Sequence, residues 1–216
     1  MNFYIINGSP RKNCNTAQLL NKVIEGIEDN SPEEHDINLI NLYELNYKGC
    51  KSCFHCKKIG GKYYGQCPIK DDLRPLLPKI WECDGLVIGS PIYFGNLTGE
   101  TNSFIERLIF PKLVYGGEPL TEKEIPTVAI YTMNATEEVS DSIYKRLYET
   151  FENTLKRILK GEVYSHKVYD TYQFKDYEKY ENYYFKEEDK AKVRKTQFPK
   201  DLEKAYSLGA KLVEKK

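Results

Sequence analysis

A short polar segment near the start of the chain, residues 8–16, has the residue types of an anion-binding loop. Gly8 permits a sharp turn, and Arg11 and Lys12 add positive charge. Hydroxyl and amide donors follow at Ser9, Asn13, Asn15 and Thr16. The unpaired N–H groups that begin the next helix would point to the same place, so the segment predicts a site for a phosphate-sized anion. The alternative is a turn whose polar side chains only cap that helix.

A second segment that could carry chemistry is the loop at residues 46–70, which holds four of the six cysteines. Cys50, Cys53 and Cys56 are separated by two residues each, and Cys67 follows after ten more and precedes a proline. Such thiolates can bind a [4Fe–4S] cluster. Zinc, with or without His55, needs the same residue types. Reduced or reversibly oxidised thiols without metal are the third interpretation, and all three stay open.

The elements around these segments alternate between strand and helix. Apolar runs predict strands at residues 3–6, 35–42, 85–90, 127–131 and 163–169. Helices are expected after the first loop, at 71–81 with a proline kink, at 98–109, and as one long amphipathic helix over 139–159. This alternation predicts an α/β fold with a doubly wound, five-stranded parallel sheet in the order 2-1-3-4-5.

In that strand order the carboxyl ends of the first and third strands flank the topological switch point. The loop at Ser9 and the segment 91–96 would therefore meet in one crevice. Tyr93 and Phe94 suit contact with a flat ring, and the Gly95 backbone could bond its heteroatoms. Ordinary core filling is the alternative role of these aromatic side chains.

Composition narrows the classes of function. The 216 residues carry 32 acidic side chains and 32 Lys and Arg, so no net charge attracts nucleic acid. No run of about 20 apolar residues is present, which predicts no membrane span. Met1 leads directly into the first strand, so we expect a cytoplasmic protein. The length suits one domain over residues 1–216.

Several motifs, taken together and in order, resemble the NAD(P)H-dependent FMN reductases and iron–sulfur flavoproteins, which have a flavodoxin-like fold. They are Gly8-Ser9-Pro10-Arg11, Asn15-Thr16, Cys50-x-x-Cys53-x-x-Cys56 and Ser90-Pro91-x-Tyr93. The resemblance covers about residues 1–135. It implies FMN phosphate at Ser9, Arg11, Asn13, Asn15 and Thr16. It also implies that the flavin ring contacts Pro91, Ile92, Tyr93, Phe94 and Gly95, with Thr132, Met133 and Asn134 on the far wall.

The resemblance implies an FMN enzyme that takes hydride from NAD(P)H and reduces a flavin, quinone, azo compound or protein acceptor. The alternative is an electron carrier of the flavodoxin or iron–sulfur type, a ferredoxin partner without nicotinamide turnover. Flavodoxin carriers are typically acidic, so the balanced charge of this chain favours the enzyme.

Residues 164–185 contain nine aromatic side chains among charged ones, with no clear helical or strand period. A disordered tail would be poor in aromatic residues, so this segment should be buried against something. It either packs on its own domain before a closing helix at 198–212, or reaches across a homodimer. The homodimer is favoured, because tyrosine suits interfaces.

Overall fold

The computed structural model describes residues 1–31 and 34–214. Its strands are β1 (Asn2–Asn7), β2 (Asp36–Asn41), β3 (Gly85–Tyr93), β4 (Asn96–Leu97), β5 (Ile125–Thr132) and β6 (Lys160–Val168). The main sheet has the order β2-β1-β3-β5-β6, and all of its neighbouring strands are parallel. The predicted doubly wound sheet is confirmed, and β4 adds a sixth strand that pairs antiparallel with the end of β3.

Helices cover both faces of the sheet. They are α1 (Asn15–Asn30), α2 (Leu77–Trp81), α3 (Gly99–Ile109), α4 (Glu137–Ile143), α5 (Lys145–Leu159), α6 (Glu187–Thr196) and α7 (Phe198–Val213). Alternation along β1 divides the core, because successive side chains of a strand point to opposite faces. Tyr4 and Ile6 pack on the side of α2, α3 and α5, whereas Phe3 and Ile5 pack on the side of α1 and α7. In the described part of the chain, no helix is both long enough and apolar enough to cross a membrane.

The closing helix α7 packs directly against α1 through two glycines. A Cβ atom on Gly26 would lie 2.1 Å from the Tyr206 carbonyl oxygen, and one on Gly209 would lie 2.1 Å from that of Val23. Both positions therefore exclude any larger residue. The C-terminal helix is thus an integral cover for the helix that begins at the polar loop.

Two predicted helices differ from the structure. The helix expected at 71–81 begins only at Leu77. Pro78 has no N–H to donate, which is tolerated in the first turn of a helix, and the observed start of α2 places it there. The long helix expected over 139–159 is divided at Tyr144, whose ψ of −1° interrupts the regular helix. A buried hydrogen bond between the hydroxyls of Ser140 and Tyr148, at 2.6 Å, joins the two pieces.

The tyrosine-rich segment packs partly on its own chain. Tyr177 is buried, and the rings of Phe174 and Tyr180 stack with centroids 4.3 Å apart. Tyr183 and Tyr184, by contrast, are more than nine-tenths exposed. The first half of the segment therefore covers its own domain, while its second half presents aromatic surface to the outside.

Candidate functional site

The polar loop between β1 and α1 leaves the start of the helix open. Cys14 occupies the N-cap position, and among the residues that the structure describes no side chain caps this helix. The alternative in which the polar residues only cap α1 is therefore not supported. Ser9, Asn15 and Thr16 are buried around this helix start. Unpaired N–H groups with buried hydroxyl and amide donors form the arrangement that binds an anion.

The loop is held against the end of β3. The Gly8 N–H donates to the Gly89 carbonyl at 2.8 Å, and the buried Thr98 hydroxyl donates to the Gly8 carbonyl at 2.8 Å. A Cβ on Gly8 would lie 1.9 Å from the Thr101 hydroxyl oxygen. The position thus requires glycine. Thr98 and Thr101 support the loop from behind and were not predicted, because nothing in their local sequence indicates this contact.

Ten of the predicted site residues line one crevice at the carboxyl ends of β1, β3 and β5. They are Ser9, Arg11, Asn15, Thr16, Pro91, Ile92, Tyr93, Thr132, Met133 and Asn134. The volume of this crevice is about 80 Å³. Most ligand pockets measure about 300–1,000 Å³, so this crevice is too small to enclose a whole ligand of that class.

The other three predicted residues are not in the crevice wall. Asn13 is exposed, and its carbonyl accepts from the Gln18 amide. Phe94 is fully exposed at the tip of the β3–β4 hairpin, where it has a left-handed φ of 50° beside Gly95 at 79°. The sharp hairpin directs the chain away from the crevice at this point.

Three residues of the crevice wall, Cys14, Thr171 and Gln173, are not among the predicted site residues, and the last two come from a distant segment. The Arg11 guanidinium donates to the Gln173 carbonyl at 2.9 Å, and the Asn15 amide donates to the Tyr172 carbonyl at 3.0 Å. These contacts join residues more than 150 positions apart in the chain. The high number of aromatic residues in segment 164–185 was the only sequence signal that this segment packs on another part of the protein.

Asn134 presents an unsatisfied acceptor in this wall. Its Nδ2 donates to Gln173 Oε1 at 2.9 Å, whereas its buried Oδ1 accepts no hydrogen bond from the described residues. Leaving such an atom unpaired costs about 1–3 kcal/mol. A donor group on a bound ligand would remove that cost, so this oxygen fits a ligand with N–H or O–H groups.

A larger cavity of about 660 Å³ lies beside β6. Its lining includes His166, Asp201, Glu137, Lys200 and Lys204, so its charges are of mixed sign. It contains neither the polar loop nor the end of β3. Size alone would favour this cavity, but the donors that suit a phosphate are in the smaller crevice, which we take as the candidate site.

The cysteine loop is closed by a buried arginine. Arg107 is 1% exposed and donates to both carboxylate oxygens of Asp71 at 2.6 and 3.0 Å. It also donates to the Lys48 carbonyl at 2.8 Å and to Cys67 Sγ at 3.1 Å. One guanidinium therefore joins both ends of the loop without a metal.

The four thiols of this loop differ in their surroundings. Cys56 is buried, Cys53 is exposed, and Cys50 and Cys67 are half-buried. Burial raises the pKa of the Cys56 thiol. Within residues 1–31 and 34–214, no three Cys, His, Asp or Glu side chains are arranged to hold a metal ion. As placed, the thiols do not fit a [4Fe–4S] cluster or zinc.

The sheet order defines a flavodoxin-like α/β protein, and the open helix start and the crevice at the strand ends form its candidate site. The chain belongs to the NADPH-dependent FMN reductase family, whose sequence model matches residues 1–148. It is 39% identical over 107 residues to an iron–sulfur flavoprotein of Archaeoglobus fulgidus. The aligned region covers 50% of this chain and 48% of that protein. It is 34% identical over 113 residues to one of Clostridioides difficile, covering 51% and 48%. The chain thus spans about half the length of the curated relatives it matches.

Solved structures share the fold along the whole chain. An NAD(P)H:quinone oxidoreductase from Methanothermobacter marburgensis has a TM-score of 0.72 and 15% identity, covering 100% of this chain and 98% of that one. An azoreductase from Bacillus anthracis has a TM-score of 0.66 and 10% identity, covering 98% and 99%. At these identities the similarity establishes the fold alone.

Proposed function

We propose that this chain binds FMN in the crevice and uses it to oxidise NAD(P)H and reduce a second acceptor. The acceptor would be a flavin, a quinone, an azo compound or a protein. The observation that carries the proposal is the open start of α1, which meets the ends of β3 and β5 with buried donors at Ser9, Asn15 and Thr16. Family membership supports the same cofactor.

The chain's residues have distinct roles in this proposal. The N–H groups of α1, together with Ser9, Asn15 and Thr16, bind the phosphate, and Arg11 adds positive charge. Tyr93, which is 40% exposed at the crevice, contacts the ring. Bound FMN supplies the hydride and electron chemistry. FMN is favoured over FAD because the sequence has one phosphate loop and no fingerprint for a second phosphate.

Cofactor identity and turnover test this proposal. Heat should release FMN from the purified protein, and the holoprotein should oxidise NADH or NADPH in steady state with a quinone or flavin acceptor. Release of FAD would contradict the choice of cofactor. Bound FMN without oxidation of either nicotinamide would favour the second candidate, an electron carrier.

The carrier is retained because the relatives named iron–sulfur flavoproteins and the four-cysteine loop favour it. A [4Fe–4S] cluster at Cys50, Cys53, Cys56 and Cys67 would belong to this second candidate and not to the reductase. The placement of the thiols does not support it, since no metal-binding group is found among the described residues. The reductase needs no cluster.

We further propose that the protein acts as a homodimer. Apolar side chains are exposed at Phe94 on the β3–β4 hairpin, at Val139 and Ile143 on α4, and at Tyr183 and Tyr184. A second copy of the chain would cover such surface and complete the flavin pocket. Light scattering at micromolar concentration should give the mass of two chains, and a strictly monomeric mass would contradict this.

The six free cysteines and the use of NAD(P)H suit the reducing cytoplasm.

A further inference from the structure

Residues 170–173, which we call the clasp segment, lie across the polar loop and contact three side chains of the crevice. Their carbonyls accept from Arg11 and Asn15, and the side chain of Gln173 accepts from Asn134. Each of these contacts uses only part of the donor capacity of the side chain. Arg11 has five N–H groups, and the Asn15 amide has two. The clasp segment therefore fixes the direction of these donors and leaves others for a ligand.

Asn15 shows how completely one donor is fixed. Its Nδ2 donates to the Tyr172 carbonyl, and its Oδ1 accepts from the Arg194 guanidinium at 3.2 Å. Because its nitrogen and its oxygen each have a hydrogen-bond partner, the amide has a single orientation. The direction of its second N–H is therefore fixed. A phosphate that binds such a donor does not have to order it first, which strengthens binding.

The clasp segment is itself anchored by a buried cation. Lys190 on α6 is 1% exposed, donates to the Asn134 carbonyl at 2.8 Å and pairs with the Asp170 carboxylate. Its ammonium also lies 4.2 Å from the centre of the Phe185 ring. Asp170 has a left-handed φ of 53°, which a non-glycine residue adopts only when its surroundings hold it. Lys190 thus joins the loop after β5 to the loop after β6.

We infer that Lys190 is a positioning residue for the flavin phosphate: through Asp170 and Asn134 it holds the clasp segment, which orients Arg11 and Asn15. Lys190 itself is not among the residues that line the crevice. The inference rests on the proposed function, because it assigns how the chain prepares that same site. It also gives the C-terminal region, beyond the family match at residue 148, a role in cofactor binding.

The test compares FMN with riboflavin, which lacks the phosphate. Lys190→Met should weaken FMN binding about tenfold, the effect of losing one hydrogen bond to a charged group, and change riboflavin binding by less than about threefold. Lys192→Met, at an exposed lysine of the same helix, is the matched control and should change neither. Fluorescence titration of each flavin into the apoprotein gives the affinities, and circular dichroism checks that each variant is folded.

Equal weakening of FMN and riboflavin would show that Lys190 only stabilises the fold, and unchanged FMN affinity would remove it from the site. Both outcomes overturn the inference while the proposed function stands. If the wild type binds no FMN, the proposed function fails first. Should Lys190→Met not fold, Asp170→Asn removes the charge of the same ion pair, keeps an oxygen that can accept from Lys190, and tolerates the left-handed φ. It should then lower the ratio of FMN to riboflavin affinity and speed hydrogen exchange at the Thr171 amide, which donates to the Met133 carbonyl.

Discussion

The hydroxyl oxygens of Thr16 and Thr132 lie 2.8 Å apart, and both residues are buried. This hydrogen bond joins the first turn of α1 to the end of β5, across 116 positions of sequence. Because both residues also line the crevice, the bond fixes the phosphate end of the site relative to its far wall. This hydrogen bond therefore joins the two predicted halves of the site directly.

Replacing Thr16 by Val keeps the shape of the side chain and removes its hydroxyl. We expect FMN binding to weaken by about 1–3 kcal/mol, the range for a hydrogen bond to a charged group. Thr150→Val, at an exposed position of α5, is the matched control and should have no effect. Fluorescence titration measures both. Unchanged affinity in Thr16→Val and also in Ser9→Ala would remove this loop from the site.

Arg107→Met should destabilise the protein by about 3–5 kcal/mol, because it leaves the largely buried Asp71 carboxylate without its partner. It also removes the bonds to Lys48 and Cys67 that close the cysteine loop. Arg157→Met, at an exposed arginine, should cost little. Urea unfolding followed by circular dichroism gives the free energy of unfolding. A loss in free energy of unfolding below about 1 kcal/mol, the contribution of a surface ion pair, would show that the Arg107 contacts are not needed for stability.

The stability of the protein should fall in acid through His166. Burial lowers the pKa of this imidazole to about 4, whereas an unfolded histidine titrates near 6.5. The unfolded chain therefore binds the proton first, and stability is full above about pH 6.5 and declines as the pH falls toward 4, by about 3 kcal/mol in total.

Asp201 lies 3.6 Å from His166 Nε2, and burial raises its pKa, which favours the folded state in acid. The histidine effect is therefore measured as the difference between wild type and His166→Asn, in urea unfolding at several pH values. The wild type should lose more stability than the variant between pH 6.5 and 4. Parallel pH profiles for the two proteins would contradict the burial of a neutral imidazole.

The cysteine loop gives a prediction about metal. Protein purified without oxygen should contain flavin but little iron, because the four thiols as placed do not form a metal-binding group among the described residues. Iron analysis together with the visible spectrum measures this. On the order of four irons per chain, lost in Cys56→Ala with FMN retained, would establish a cluster and favour the electron carrier.

The sheet could be predicted from local sequence because each strand carries its own apolar pattern. The predicted strand order then placed the loop at Ser9 next to the segment at Tyr93. The same reasoning missed what depends on distant residues. The apolar pattern over 139–159 predicts one helix, but the helix is divided at Tyr144. The hairpin at Phe94 leaves the Phe94 ring exposed. The contacts of the clasp segment with Arg11 join opposite ends of the chain. No periodicity encodes such contacts, since they arise only when both loops are in place.

An anaerobic single-turnover experiment tests most directly whether FMN bound in this crevice accepts hydride from NAD(P)H. The apoprotein is reconstituted with FMN and mixed with NADPH, and separately with NADH, while the visible absorbance band of the flavin is followed. We expect that band to bleach with at least one of the two nicotinamides and to return when a quinone is added. FMN that binds tightly but keeps its full absorbance with both nicotinamides would show that the bound flavin does not accept hydride from either.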